Sequence, residues 1–384
     1  MTDAAPAGGD AATEPAATEP AATEQAAEPT VAELRRRCTR FLNMHGARPP
    51  SVVLAEVHEV LGDVEADRYG EGGVVTELEG EVAALLGKPA AVLMPSGTMA
   101  QQIALRIHAE RTGRRTVLWH PSCHLALWED QAVERLHGLH PRPVGDARAL
   151  ITLADLEEVA EYAAALLIEL PQREIGGRLP EWDDLVAQTA LARSHGTATH
   201  LDGARLLESL PFYGRPAAEV AGLFDSVYLS LYKGLGGISG CLLAGDEQLV
   251  AEAREWRHRH GGTLFELWPY AAAGLAGLRL RAARMPAYVD KAKAIAAELA
   301  TLDGVLLVPD PPVTPMMHVY LRGEADRLDA AIRRIAVERG LWTWPKTFTT
   351  ELPGWRVVEL SVGDATMEFT PGEVQALVAE ILAG

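Results

Sequence analysis

Two stretches decide how this chain folds: Gly196-Thr197-Ala198-Thr199-His200-Leu201-Asp202-Gly203-Ala204-Arg205-Leu206 and Asp225-Ser226-Val227-Tyr228-Leu229-Ser230-Leu231-Tyr232-Lys233-Gly234-Leu235-Gly236-Gly237. Each begins as a short β-type run and closes on reactive groups, Asp202 with Arg205 in the first and Lys233 in the second. The roughly thirty residues between Asp202 and Lys233 are the length of one βαβ crossover. Such a crossover sets the two strands side by side, and open α/β sheets hold ligands at the C-terminal ends of their strands.

A carboxylate and a lysine brought together in this way suit pyridoxal 5'-phosphate. That cofactor needs an amine to join its aldehyde, and an anion to keep its pyridine nitrogen protonated so that the ring accepts electrons. Lys233 is the expected amine and Asp202 the expected ring-nitrogen partner. Gly234, Gly236 and Gly237 let the backbone pass close to a bulky ligand.

The pair of motifs HLDGARL and SLYKGLG resembles the signatures of the threonine aldolase and β-eliminating lyase family, pyridoxal phosphate enzymes of fold type I. Tyr232 stands where that family has serine. The resemblance runs from about residue 63 to the C-terminus and extends to further motifs. Pro95-Ser96-Gly97-Thr98-Met99-Ala100 joins an apolar strand, Ala90–Met94, to a helical pattern from Gln101. A strand, a hydroxyl-rich turn and a helix N-terminus make an anion site, and the resemblance assigns the cofactor phosphate to Ser96, Gly97 and Thr98. His120-Pro121-Ser122-Cys123-His124 with Glu129 matches a family pattern whose second histidine stacks on the pyridine ring. That role, with a possible proton relay, passes to His124, with Glu129 as its orienter. Asp67-Arg68-Tyr69-Gly70-Glu71 resembles a loop whose tyrosine faces the active site, in some members that of a neighbouring subunit, which makes Tyr69 a substrate-binding candidate. Arg356 occupies the position of an arginine that binds the substrate α-carboxylate, and Arg205 is its expected companion, since two guanidinium forks hold a carboxylate well.

The departures from the family pattern fall near the same place. Gly72 and Gly73 replace an acidic residue and a proline. Leu170, Pro171 and Gln172 replace asparagine, threonine and histidine after Glu169, which makes Gln172 and Arg173 candidates for contacts to the ring hydroxyl or the substrate. Glu359 and Leu360 replace threonine and histidine after Arg356. These changes bear on which amino acid is cleaved, not on the cofactor. The basic run Arg254, Arg257, His258, Arg259 and His260 reads either as a solvated helix face or as a second phosphate contact across a dimer interface.

Composition narrows the rest. The net charge of −18 over 384 residues repels nucleic acid and anionic membrane surfaces. No apolar run is long enough for a membrane span, and no secretory signal stands at the N-terminus. Cys38, Cys123 and Cys241 are odd in number and widely spaced, so no disulfide framework is expected and a reducing cytoplasm is the simpler setting. No cluster has metal-ligand spacing, so no metal is expected. Residues 1–30, with AATEP twice and then AATEQ, read as a disordered acidic tail.

Periodicity predicts helices over 31–43, 51–61, 74–87, 181–195, 247–259, 324–338 and 371–382, and one long helix over 268–300. It predicts strands over 90–94, 117–119, 163–168, 239–244, 304–308, 316–321 and 356–362, besides the two that carry Asp202 and lead to Lys233. The fold the resemblance implies is α/β, PLP-dependent transferase-like (fold type I). A large domain with a seven-stranded, mostly parallel sheet covers 31–270, and a linking helix with a small α+β domain covers 271–384. The implied activity is cleavage of the Cα–Cβ bond of a β-hydroxy-α-amino acid to glycine and an aldehyde. The alternatives are β-elimination on another amino acid, or cofactor binding without aldolase turnover. Because fold-type I sites form between subunits, a homodimer or homotetramer is expected.

Overall fold

The computed structural model describes residues 29–384. Most of the expected tail lies outside the described residues. Thr30 caps the first helix, Val31–Arg37, through a reciprocal capping box with Glu33.

A two-residue strand, β1 (Arg40–Phe41), precedes the large sheet, whose strands are β2 (Ala90–Met94), β3 (Thr116–Trp119), β4 (His140–Pro143), β5 (Ala165–Glu169), β6 (Ala198–Asp202), β7 (Ser226–Ser230) and β8 (Cys241–Gly245). Their order across the sheet is β2-β8-β7-β6-β5-β3-β4. β8 alone runs against the direction of the other six strands, so its pairings with β2 and β7 are the sheet's antiparallel ones. β5 and β7 are buried along their whole length, as strands covered on both faces must be. The β5–β6 register sets Glu169 directly beside Asp202, and the β6–β7 register sets Asp202 beside Tyr228. Both carboxylates and the Lys233 turn therefore reach the same edge of the sheet. β4, a His-Pro-Arg-Pro segment that periodicity does not mark, pairs only with β3. An outer edge is where a sheet tolerates proline.

The remaining strands are β9 (Val305–Val308), β10 (Met316–Arg322), β11 (Leu341–Trp342), β12 (Phe348–Thr349) and β13 (Trp355–Ser361). Four of them form an antiparallel sheet, β12-β13-β10-β9. One of its faces, with Met317, Val319, Leu321, Val358 and Leu360, joins a core with Leu328 and Ile332 of helix Ala325–Arg339 and Leu377 and Ile381 of helix Pro371–Ala383.

Two predicted helices differ from what forms. The one expected over 31–43 stops at Arg37, because Arg40 and Phe41 pair in parallel with Leu341 and Trp342, and this buries Leu42 completely. The helix expected over 268–300 is two helices, Trp268–Arg281 and Met285–Leu299, parted by a 3₁₀ turn at Ala282–Arg284. Pro286 explains the break: it has no N–H for a continuing helix and fits the first turn of a new one.

Candidate active site

Lys233 stands in the turn after β7. The turn closes where Gly237 N donates to Leu231 O at 2.8 Å, with Gly236 at φ +68°. A Cβ on Gly234 would lie 2.0 Å from Glu208 Oε1, so any larger residue there forces that buried carboxylate to move. Three successive carbonyls of the turn are held from behind. His45 Nε2 donates to Gly234 O at 3.0 Å, Arg281 Nη1 donates to Leu235 O at 3.2 Å, and Arg48 donates to Gly236 O. Arg281 also pairs with Glu56 and Asp364, and the amide of Asp364 donates to His45 Nδ1. The N-terminal segment, helix Trp268–Arg281 and the Asp364 turn thus fix the lysine's backbone together. Among the described residues, no hydrogen bond or ion pair reaches Lys233 Nζ. Burial, then Arg205, pull its pKa down, with Asp202 and Glu169 opposing.

The acids come from the neighbouring strands. Asp202 is 2% exposed; its Oδ2 accepts from Gln101 Nε2 at 2.5 Å and its Oδ1 from the amide of Ala204 at 3.1 Å. Glu169 accepts from the amides of His124 and Arg173, each at 3.1 Å. Burial, and then Asp202 beside it, raise its pKa.

His124 opens helix His124–Trp128, and its Nδ1 lies 3.1 Å from Glu129 Oε1, the partner expected for it. Its side chain stays one-third exposed, while that of Glu129 is buried. Ser96 caps helix Gly97–Thr112 and accepts from Met99 N at 3.3 Å. A Cβ on Gly97 would collide with the Tyr228 hydroxyl, so the helix start can approach β7 only as glycine. The first-turn amides at Gly97 and Thr98 have no intrahelical acceptor, as at any helix start.

Arg205 does not meet Arg356. Its side chain, 11% exposed, lies 3.7 Å from both Glu208 and Glu359. The second guanidinium at this place is that of Arg173, whose Nε is 2.9 Å from Glu359. Arg356 instead bonds Thr347 and Thr349. Strand alternation gives the reason: Arg356 shares a face of β13 with Val358 and Leu360, which pack on the helices, while Glu359, three residues on, points to the opposite face beside His318. Tyr69 is also apart from this cluster within one chain. It is 57% exposed, at φ +54°, and packs edge-on against Phe265 with ring centroids 5.4 Å apart. In the basic run, Arg257 is buried and donates to Leu93 O, whereas Arg259 pairs with Glu255 at the surface. Sequence reasoning did not single out His45, Arg48, Gln101, Glu208 or Arg281. The contacts that place them at the site join distant parts of the chain, Gln101 with Asp202, Glu208 with the Lys233 turn, and His45, Arg48 and Arg281 with the carbonyls of that turn.

The group supports pyridoxal phosphate on its own chemistry: an amine without a partner, a buried acid whose neighbours donate to it, and a helix start that only glycine lets close. The model of the beta-eliminating lyase family matches residues 58–323. A solved structure of a candidate L-allo-threonine aldolase from Listeria monocytogenes is 39% identical; the likeness covers 92% of this chain and 98% of that one, with a TM-score of 0.86. A candidate aromatic amino acid beta-eliminating lyase/threonine aldolase from Exiguobacterium is 38% identical over 92% of this chain and 99% of its own, also at a TM-score of 0.86. The low specificity L-threonine aldolase of Escherichia coli K12 is 33% identical over 241 residues, 61% of this chain and 71% of the relative. This chain belongs to the beta-eliminating lyase family, and is a pyridoxal-phosphate-dependent lyase of fold type I.

Proposed function

We propose that the chain cleaves the Cα–Cβ bond of a β-hydroxy-α-amino acid, releasing glycine and an aldehyde. The observation that carries this reading is the meeting, at one sheet edge, of an unpartnered lysine amine, a buried aspartate held as an acceptor and two guanidiniums. Lys233 would hold the cofactor through its amine, Asp202 through the ring nitrogen, and Ser96, Gly97 and Thr98 through the phosphate, with His124 against the ring. When bound, the cofactor supplies a sink for the electron pair left at Cα.

Arg205 and Arg173 take the substrate carboxylate in place of Glu359 and fix which Cα bond is aligned for cleavage. As a carboxylate, Glu129 accepts Nδ1–H of His124, which leaves Nε2 with the lone pair on the open side. His124 Nε2 then takes the β-hydroxyl proton as the Cα–Cβ bond breaks. Arg356, engaged with two threonines on the far face of β13, fixes the hairpin and does not bind substrate. Tyr69, outward and exposed, serves the site of a second copy in a homodimer or homotetramer.

The large-domain and small-domain division at about 270/271 and a cytoplasmic setting belong to the same reading; the three free, buried cysteines support the latter. No helix among the described residues is long and apolar enough to cross a membrane. A second reading, β-elimination from another amino acid, draws support from Glu359, which adds an acid where the family pattern has threonine. Aldehyde release from L-threonine, L-allo-threonine and phenylserine tests the first reading. No release from any of them, with cofactor bound, removes it, and pyruvate from serine or a cysteine analogue selects the second.

A further inference from the structure

Behind Asp202 runs a line of side chains that none of the motifs explains. Gln101 Nε2 donates to Asp202 Oδ2 at 2.5 Å, and Gln101 Oε1 lies 3.1 Å from His200 Nε2. His200 Nδ1 lies 2.7 Å from Ser226 Oγ, which lies 2.7 Å from His108 Nε2. The residues come from helix Gly97–Thr112, β6 and β7, and none is more than 3% exposed.

One arrangement of protons satisfies every contact. An ionised Asp202 only accepts, so Gln101 must turn its NH₂ to it and its oxygen to His200. That oxygen needs a donor, so His200 carries its proton on Nε2 and has a lone pair on Nδ1. Ser226 must then give its single hydroxyl proton to His200 Nδ1 and accept from Nε2–H of His108. Burial pushes His108 down to about 4 and His200 to about 3, so both rings are neutral and each has one N–H to place. With the other tautomer of His200, a lone pair would face the Gln101 oxygen. With Gln101 flipped, an oxygen would face Asp202. Each puts acceptor against acceptor in a dry interior, where an unmade hydrogen bond is costly. Every donor in the line therefore points toward Asp202.

We propose that Gln101 and His200, oriented by Ser226 and His108, are positioning residues that hold Asp202 as an anion and so keep the cofactor's ring nitrogen protonated. This rests on the reading of Asp202 as the ring-nitrogen partner. The proton between that nitrogen and Asp202 is shared by two bases. Removing a donor from the carboxylate makes it the stronger base and moves the proton onto it, which leaves the ring neutral and a poorer electron sink.

The test uses the holoenzyme loaded with pyridoxal phosphate isotope-labelled at its ring nitrogen, read by NMR at neutral pH, together with cofactor affinity. Wild type gives a protonated ring-nitrogen signal. Gln101→Met keeps the volume without the donor; its signal moves toward the unprotonated position, and cofactor affinity drops roughly tenfold, the usual loss when a hydrogen bond to a charged group goes. Ser226→Ala leaves the Gln101–Asp202 contact in place but frees His200 to change tautomer, and its signal moves the same way by less. The inference falls if both variants keep the wild-type signal, or if Ser226→Ala alone keeps it should Gln101→Met not fold. An unprotonated ring nitrogen in wild type overturns this inference alone, whereas wild type that binds no cofactor overturns the reading beneath it.

Discussion

Glu359 stands where a substrate carboxylate belongs, and Glu359→Gln measures what that costs binding. The side chain lies 2.9 Å from Arg173 and 3.7 Å from Arg205 and is one-quarter exposed. Burial opposes its charge, but Arg205 and Arg173 outweigh burial and lower its pKa, so it is ionised at neutral pH. A substrate carboxylate on the same arginines comes within about 5 Å of it. At an effective dielectric of about 20, two unit charges at that distance repel by about 3 kcal/mol. Water at the exposed quarter, and the order Glu359 gives to both arginines, reduce the net gain from its removal to about 1–2 kcal/mol, roughly 5- to 30-fold in affinity. Glycine is the right probe, because it binds without carrying a bond to cleave. Its titration of the bound cofactor's visible absorbance should therefore show tighter binding in Glu359→Gln, while the melting temperature falls because the ion pair between β13 and the Arg173 and Arg205 turns is lost. Unchanged or weaker glycine binding, in a folded variant with cofactor bound, refutes the idea that Glu359 and the substrate compete for Arg173 and Arg205.

Other consequences follow from particular contacts. Gly97→Ala drives a methyl group against the Tyr228 hydroxyl and the ring carbons behind it, an overpacking that costs about 1–3 kcal/mol; cofactor affinity by equilibrium dialysis should drop, and only part of the loss should return in the double variant with Tyr228→Phe, because Cζ and Cε2 stay at 2.8 and 3.0 Å. Asp364 is held well below the usual carboxylate range: burial works against its charge, but hydrogen bonds from Tyr288 and Arg281 and the charge of Arg281 more than offset it. A depressed acid stabilises the fold above its unfolded pKa and loses that contribution as pH falls. Asp364→Asn should therefore melt lower than wild type at neutral pH, with the gap narrowing below about pH 4. His124→Asn should bind cofactor more weakly, since its ring contact is lost, and at saturating cofactor should lose about two or more orders of magnitude in kcat for aldehyde release, as expected for a lost proton acceptor.

Much of the architecture was legible because its signals are local. Short apolar runs marked the central strands, the length between Asp202 and Lys233 implied one crossover that puts both at one edge, and the resemblance supplied the seven-stranded sheet. Glu129 was readable as the partner of His124 because the two are five residues apart. What was missed depends on distant pairing. The helix over 31–43 gave way to a strand pair with residues 341–342, and Gln101, His200 and Ser226 meet only once two strands and a helix are packed. Arg356 is a different case. Its position along the chain matched the expected arginine, but it lies three positions from Glu359, and on a strand an odd offset means opposite faces. Pro286, in the middle of the expected long helix, was a visible stop signal.

The most direct measurement is borohydride reduction of the holoenzyme followed by peptide mass analysis. The chain has five lysines, Lys88, Lys233, Lys291, Lys293 and Lys346. The cofactor mass should be found on the Lys233 peptide and be absent from Lys233→Ala. A cofactor-treated, folded protein with no adduct on that peptide, or with the adduct on one of the other four, contradicts the assignment of Lys233 and the site built around it.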